Sequence, residues 1–264
     1  MKIVDQSIFQ KLYRPPASSH KGQNGRILVI AGSKKYHGAL LLTVQALSRI
    51  VDMVYVYSTA ENLSLIKKLK SKIAVFITVN KKEFWPTVEI VDTVIIGPGL
   101  AETSATKNLT EKLLTKYPNK KVIIDATALW HLDPNKLHKN CVVTSHSREF
   151  ENVFRCPANA ANVLAMAQKY QGIIILKGQH DYLSDGQELW ENRTGNVGMT
   201  KGGTGDVFAG LIAGLSAKND LLIASLAGAY LSGYTGDQLL KKVGTFFNAE
   251  DLINELSKTW KYLT

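Results

Sequence analysis

The 264-residue chain is 45% hydrophobic and 20% charged, the balance of a soluble globular protein, with length for one large α/β domain or two small ones; disordered and fibrous classes are excluded. Its formal net charge is +10, but the lysines are scattered and no nucleic-acid motif accompanies them, so a small polyanion such as a nucleotide is the expected partner and nucleic acid is not. The N-terminus has no leader-like apolar core and no window holds the roughly 18 apolar residues of a membrane span, which points to a cytoplasmic protein without membrane contact.

Short β-branched runs follow one another along the chain: "RILVIAG" (26–32), "MVYVYS" (53–58), "AVFITV" (74–79), "TVIIGPG" (93–99), "KVIIDA" (121–126), "CVVTS" (141–145) and "GIIILKG" (172–178). Continuous apolar strands of this kind are buried on both faces, as in parallel sheets. Helical patterns lie between several of them: "GALLLTVQALSRI" (38–50), "ATKNLTEKLLTKY" (105–117) and "PANAANVLAMAQKY" (157–170). The lysine run Lys67, Lys68, Lys70 and Lys72 reads as the solvated face of a further helix. "DYLSDGQELWEN" (181–192) reads as a hairpin turning at Asp185-Gly186, and from Gly205 onward the pattern is mostly helical. Strand and helix alternate without a linker or repeat, which predicts one doubly wound α/β sandwich over residues 1–264. Cys141 and Cys156 fit no metal or disulfide pattern, and His20, His37, His131, His138 and His180 show no metal-ligand spacing, so no protein-bound zinc is expected.

Open α/β sheets bind ligands beyond the carboxyl ends of their strands. The residues at that rim are Gly32-Ser33, Gly97-Pro98-Gly99, Asp125, Thr144-Ser145-His146 and Lys177-Gly178. The stretch "GMTKGGTGDVFAGLIAGL" (198–215) then puts Gly202, Gly203 and Gly205 beside Asp206 at a helix start. Glycines and free first-turn amides make an anion site, but this one lacks the spacing of a Walker loop or a dinucleotide fingerprint. On the residues alone, Asp206 is either a first-turn acid that complements the helix dipole or a catalyst. Its place at a helix N-terminus leads to the expectation of a depressed pKa and a weak base.

"TGNVGMTKGGTGDVFAGLIAGL" (194–215) resembles the C-terminal signature of the ribokinase-like superfamily, and most of all that of the ADP/ATP-dependent NAD(P)H-hydrate dehydratases. "KGQNGRILVIAGSKKYHGALLL", "IIGPGL", "IIDATALW", "VVTSHSREFENVF" and "ILKG" resemble further segments of that family in the same order, from about Lys21 onward. Thr127, Ser145, Ser147, Arg148, Val197, Lys201 and Phe208 depart from its pattern. The absent prolines imply a looser loop around His146, Arg148 adds charge beside the substrate pocket, and Lys201 adds a cation next to the phosphate loop.

The resemblance implies a ribokinase-like three-layer α/β/α sandwich with a mainly parallel sheet. It also implies an enzyme of metabolite repair that spends ADP or ATP, with Mg2+, to dehydrate the S epimer of hydrated NADH or NADPH. In that reading Asp206 takes the hydroxyl proton while the amides of Gly203, Thr204 and Gly205 hold the transferring phosphate. Ala39, Gly99, His146 and Asp206 would line the substrate site, and Lys177, Gly178, Gln179, His180, Asp181 and Gly205 the nucleotide site. The magnesium ion would arrive with the nucleotide and be touched only through water, by Glu149 or Asn196. Family members often assemble as homo-oligomers and are often fused to an epimerase domain, so a homo-oligomer is expected, acting alone on one epimer or with a separate NAD(P)H-hydrate epimerase. The alternatives are a kinase for a vitamin-precursor alcohol of the hydroxyethylthiazole or pyridoxal type, and a nucleotide-binding protein without turnover.

Overall fold

The computed structural model describes residues 1–71 and 73–264; Lys72, the last member of the lysine run, lies outside the described residues. In chain order the elements are β1 (Lys2–Ile3), β2 (Arg26–Ile30), α1 (His37–Leu47), β3 (Met53–Tyr57), α2 (Ala60–Lys68), β4 (Ile77–Thr78), α3 (Phe84–Ile90), β5 (Thr93–Ile96) and α4 (Ser104–Lys116). They continue with β6 (Lys121–Asp125), β7 (Cys141–His146), α5 (Ser147–Phe154), α6 (Ala160–Tyr170), β8 (Ile173–Lys177), β9 (Asp181–Ser184), β10 (Leu189–Asn192), α7 (Thr204–Ser216), α8 (Leu221–Val243) and α9 (Ala249–Leu263).

Among the described residues the strands form one ten-stranded sheet in the order β1-β10-β9-β8-β7-β6-β5-β2-β3-β4. Only β9 runs against its neighbours, as the Asp185-Gly186 hairpin requires; β2 through β8 and the β1–β10 pair are parallel. Successive side chains of a strand point to opposite faces, so a run of uninterrupted Val, Ile and Leu supplies two cores. Ile27, Val29, Ile95, Ile123, Val142 and Ile175 join the core beneath α1, α2, α7, α8 and α9. Leu28, Ile30, Val94, Ile96, Val122, Ile124 and Ile174 join the core beneath α3, α4, α5 and α6. The result is the three-layer α/β/α sandwich read from the sequence.

Three details differ from that reading. The strand expected over 74–79 is reduced to Ile77–Thr78, because it sits at the sheet edge with β3 as its partner, and Val75 and Ile77 stay exposed. The helix expected from residue 38 to 50 stops at Leu47, and the lysine run is divided between α2, which holds Lys67 and Lys68, and a short 3-10 turn holding Lys70. The seven-residue α3 and the eight-residue α5 are additional to the helices expected from the sequence. No helix among the described residues is long and apolar enough to cross a membrane.

The turn after β5 shows how tightly the rim is built. Gly97 has φ +127°, and a Cβ there would stand 1.7 Å from the backbone oxygen of Asp125. Gly97→Ala is therefore expected to cost about 3 kcal/mol or more, from strain and steric overlap together. Urea unfolding measures this, and a wild-type midpoint would show that the β5–β6 rim can relax around a methyl group.

Candidate active site

β6, β7 and β8 end side by side, with Asp125 opposite Thr144 and His146 opposite Lys177 in the parallel register. Asp125 is 2% exposed. Its Oδ1 accepts hydrogen bonds from Lys177 Nζ at 2.9 Å and Thr144 Oγ1 at 2.7 Å. Burial alone would lower the Lys177 pKa, but the negative charges of Asp125, Glu149 and Asp181 outweigh it and raise the pKa above that of an ordinary lysine.

α7 enters this cluster through the glycine loop. Asn196 caps a 3-10 turn at Val197–Thr200, and Thr204 Oγ1 bonds back to the carbonyls of Met199 (2.6 Å) and Lys201 (2.9 Å). Gly203, the N-cap of α7, has φ +94°, and a Cβ there would lie 2.4 Å from Leu42 Cδ1, so only glycine fits between α1 and the loop. Asp206 then falls in the first turn of α7, and its side chain caps nothing. Burial, followed by the negative charge of Asp125, pushes its pKa up to about 7, with Lys177 pulling in the other direction. This corrects the expectation of a depressed value: desolvation and a like charge outweigh the helix terminus, and Asp206 is a stronger base than its position in sequence suggests.

The four substrate residues read from the sequence divide into two groups. Ala39 and Gly99 are neighbours, since a Cβ on Gly99 would stand 2.8 Å from the Ala39 Cβ. Thr43 joins that corner to α7, with its hydroxyl 3.0 Å from Ala39 O and 3.3 Å from Asp206 O. His146 caps α5 in a reciprocal box with Glu149: the Glu149 amide donates to His146 Nδ1 at 3.3 Å, and Glu149 Oε2 accepts from the His146 amide at 2.9 Å. Burial and then Lys177 lower the His146 pKa, while burial raises that of Glu149 to about 6. Ser145 donates to Ile175 O at 2.9 Å, so the loop expected to be loose without its prolines is tied to β8 and closed by the capping box.

A cavity of about 540 Å³ opens beside the start of α7 and is lined by Lys177, Gly178, Gln179, Asp181, Asn196 and Gly205 among others. Asp181 shapes its floor, accepting from the Gly178 amide (3.2 Å) and Asn192 Nδ2 (3.0 Å), and burial pushes its pKa to about 6. His180, the remaining member of the expected nucleotide set, turns to Glu191, with its Nδ1 2.8 Å from Oε1. Asn196 uses both amide atoms, accepting from Gly198 N and donating to Asp237 Oδ1, each at 3.0 Å. Lys201 does not face the phosphate loop; its ammonium is bonded to the carbonyls of Phe247 (2.7 Å) and Thr245 ahead of α9.

The sequence reading missed Asp237, which holds the Gly195 amide at 3.0 Å as well as Asn196, and the α8 residues Ser232 and Gly233 that complete the cavity wall. The available signal was the run of small residues in "ASLAGAYLSGYTGD", whose wall-forming role depends on where α8 packs. Asp125 and Thr144 stood at the predicted rim without an assigned role.

Known proteins resemble the chain in sequence and in fold. It is 36% identical over 269 residues to the bifunctional NAD(P)H-hydrate repair enzyme of Methanocaldococcus jannaschii, covering 98% of this chain and 52% of that protein. The chain thus spans about half the length of that relative. It is 33% identical over 264 residues to the ADP-dependent (S)-NAD(P)H-hydrate dehydratase of Nitrosopumilus maritimus, covering 93% of this chain and 91% of the relative. The ADP/ATP-dependent NAD(P)H-hydrate dehydratase of Bacillus subtilis, co-crystallised with ATP and Mg2+, superposes with a TM-score of 0.85 at 26% identity over 100% of this chain and 99% of that one. The family model described as NAD(P)H-hydrate dehydratase matches residues 27–258. With Asp206, the glycine loop and the adjoining cavity in the arrangement just described, the chain belongs to the NAD(P)H-hydrate dehydratase family.

Proposed function

We propose that the protein uses ADP or ATP to dehydrate the S epimer of hydrated NADH or NADPH, restoring the reduced nicotinamide. The observation that carries this reading is the place of Asp206, in the first turn of α7 directly after the glycine loop. Asp206 adjoins Gly205 of the nucleotide cavity and is linked through Thr43 to the Ala39–Gly99 corner. Hydroxide leaves poorly from the hydrated ring, so its oxygen is first phosphorylated. The substrate hydroxyl attacks the terminal phosphorus of the nucleotide, its proton passes to Asp206, and the broken P–O bond leaves AMP from ADP or ADP from ATP. The ring nitrogen lone pair then expels inorganic phosphate, and loss of a proton from the adjacent carbon restores the double bond.

The residues take distinct parts in this sequence. Gly203, Thr204 and Gly205 offer amides to the transferring phosphoryl group, and Lys177 offers a cation. Ala39, Gly99 and His146 line the hydrated nicotinamide, while Gly178, Gln179 and Asp181 border the nucleotide. The whole chain, 1–264, acts as one unit in the cytoplasm, as a homo-oligomer. The bifunctional relative supports pairing with a second activity, proposed here to be a separate hydrate epimerase.

The magnesium ion is proposed to arrive with the nucleotide phosphates and to keep most of its own waters; among the described residues no group of three metal-ligating side chains forms. Glu149 and Asn196 would hold its water ligands. When bound, the ion neutralises phosphate charge.

The test is to incubate the protein with hydrated NADH and Mg2+, adding ADP to one sample and ATP to another, and to follow the near-ultraviolet absorbance of the reduced ring. A nucleotide-dependent rise is expected. Its absence from folded protein with both nucleotides would shift the assignment to a kinase for a vitamin-precursor alcohol or to a non-catalytic nucleotide binder.

A further inference from the structure

Lys177 is the cation of a strongly acidic cluster. Carboxylates face it from four elements: Asp125 at the end of β6, Glu149 on α5, Asp181 at the start of β9 and Asp206 in the first turn of α7. A lysine ammonium on a flexible four-carbon stem pairs with whichever of these it can reach. Pairing with Asp206 would neutralise the proposed base, and pairing with Asp181 would draw the cation along the cavity floor. Asp125 holds it instead, at 2.9 Å.

Asp125 is itself unusually constrained. Thr144 Oγ1 fixes the same carboxylate oxygen at 2.7 Å. Its main-chain oxygen lies where a side chain on Gly97 would have to go, and the next residue, Ala126, has φ +48°, a strained value for alanine. Buried ion pairs of this kind commonly contribute no more stability than an apolar pair would, so stability alone does not account for the arrangement. Its outcome is positional. The Lys177 side chain is 20% exposed, it lines the nucleotide cavity, its Nζ is 3.8 Å from the Cβ position of Gly205, and it lies 5.9 Å from the Phe208 ring centroid.

We propose that Asp125 is a positioning residue that acts through Lys177, pinning the ammonium beside Gly205 so that it meets the transferring phosphoryl group and stays clear of Asp206. This rests on the dehydratase reading for its turnover assay, but the placement of the lysine can be tested without turnover.

The turnover test is a double-mutant cycle with Asp125→Asn, Lys177→Met and the double variant, measuring kcat and the nucleotide KM. Asp125→Asn should lower kcat at least about tenfold, because a small displacement of a charged group at the reacting centre is costly. It should leave the nucleotide KM unchanged or lower, since removing a negative charge favours an anion. In the Lys177→Met background, measured at a pH above the Asp206 titration so that this base is ionised in every variant, it should lower kcat no further. An unchanged kcat in Asp125→Asn, or losses that multiply in the double variant, would overturn the proposal, as would a change confined to KM.

The second readout is the titration of side-chain 15N-labelled lysine by NMR, with the Lys177 signal assigned by its disappearance in Lys177→Met. In the wild type it should titrate above ordinary lysines, and in Asp125→Asn it should titrate lower than in the wild type, because a neighbouring negative charge is gone. An equal midpoint in both overturns the proposal even if no dehydratase turnover is found, whereas absence of turnover in the wild type alone removes only the dehydratase reading. If Asp125→Asn does not fold, Thr144→Val, which frees the Asp125 carboxylate from one anchor, should give a smaller loss of kcat that likewise vanishes in the Lys177→Met background. A loss that persists in that background counts against the proposal.

Discussion

Replacing Asp206 with Asn is expected to lower kcat by about 10²- to 10⁴-fold, the usual contribution of a general base, while the protein remains folded. Asn matches Asp in size and carries no charge, and the Asp206 side chain makes no capping bond that the change would remove. In the wild type, kcat/KM should fall on the acid side with an apparent pKa near 7, because the free enzyme's base must be ionised and burial has raised that group to about 7. The linkage has a definite sign. The folded pKa lies well above that of an ordinary aspartate, so the folded state binds the proton more tightly than the unfolded chain. Asp206 therefore takes stability away as pH rises from about 4 to about 7, and the full penalty is present above that range. Asp206→Asn should accordingly be more thermostable than the wild type at pH about 8, with the advantage shrinking on acidification. Steady-state kinetics and thermal unfolding at both ends of the range measure the two effects. Near-normal turnover would take Asp206 out of the chemistry, and an unchanged Tm at alkaline pH would count against its strained ionisation.

Lys177→Met should damage both the fold and the reaction. Removing the ammonium leaves the carboxylate of Asp125, 2% exposed, with Thr144 as its remaining side-chain donor. Breaking a buried pair by deleting one partner typically costs about 3–5 kcal/mol. Loss of a preorganised donor to the transferring phosphoryl should lower kcat by about 10²- to 10³-fold. Urea unfolding, run beside the kinetics, separates the two losses. A variant as stable as the wild type would mean that Asp125 finds another donor, and unchanged turnover would remove Lys177 from the phosphoryl path.

Much of this architecture was legible in the chain. The strand runs in β2, β5, β6, β7 and β8 carry consecutive apolar residues through their centres because both sheet faces are covered, a pattern that local composition reveals directly. The hairpin was legible from Asp185-Gly186, and the start of α7 from its glycines. β4 was less legible, since a sheet edge needs only two paired residues and its apolar side chains remain in solvent. Lys201 and His180 show a different limit. Their neighbours in sequence belong to the phosphate loop and the nucleotide turn, but their side chains reach Phe247 and Glu191, partners set by the packing of α9 and by the pairing of β9 with β10.

The sequence by itself determined the layered α/β architecture, the residues at the carboxyl-end rim of the sheet and the identity of Asp206 as the carboxylate at a glycine-built helix start. These follow from period, turn chemistry and motif, which are local properties. The tertiary structure alone decided how Asp206 behaves. Its raised proton affinity comes from burial and from Asp125, a residue 81 positions earlier in the chain. Asp125 in turn is held by Thr144 on β7 and Lys177 on β8. Desolvation and charge act through space over a few ångströms, so a pKa depends on what the fold brings near rather than on the residues next in line.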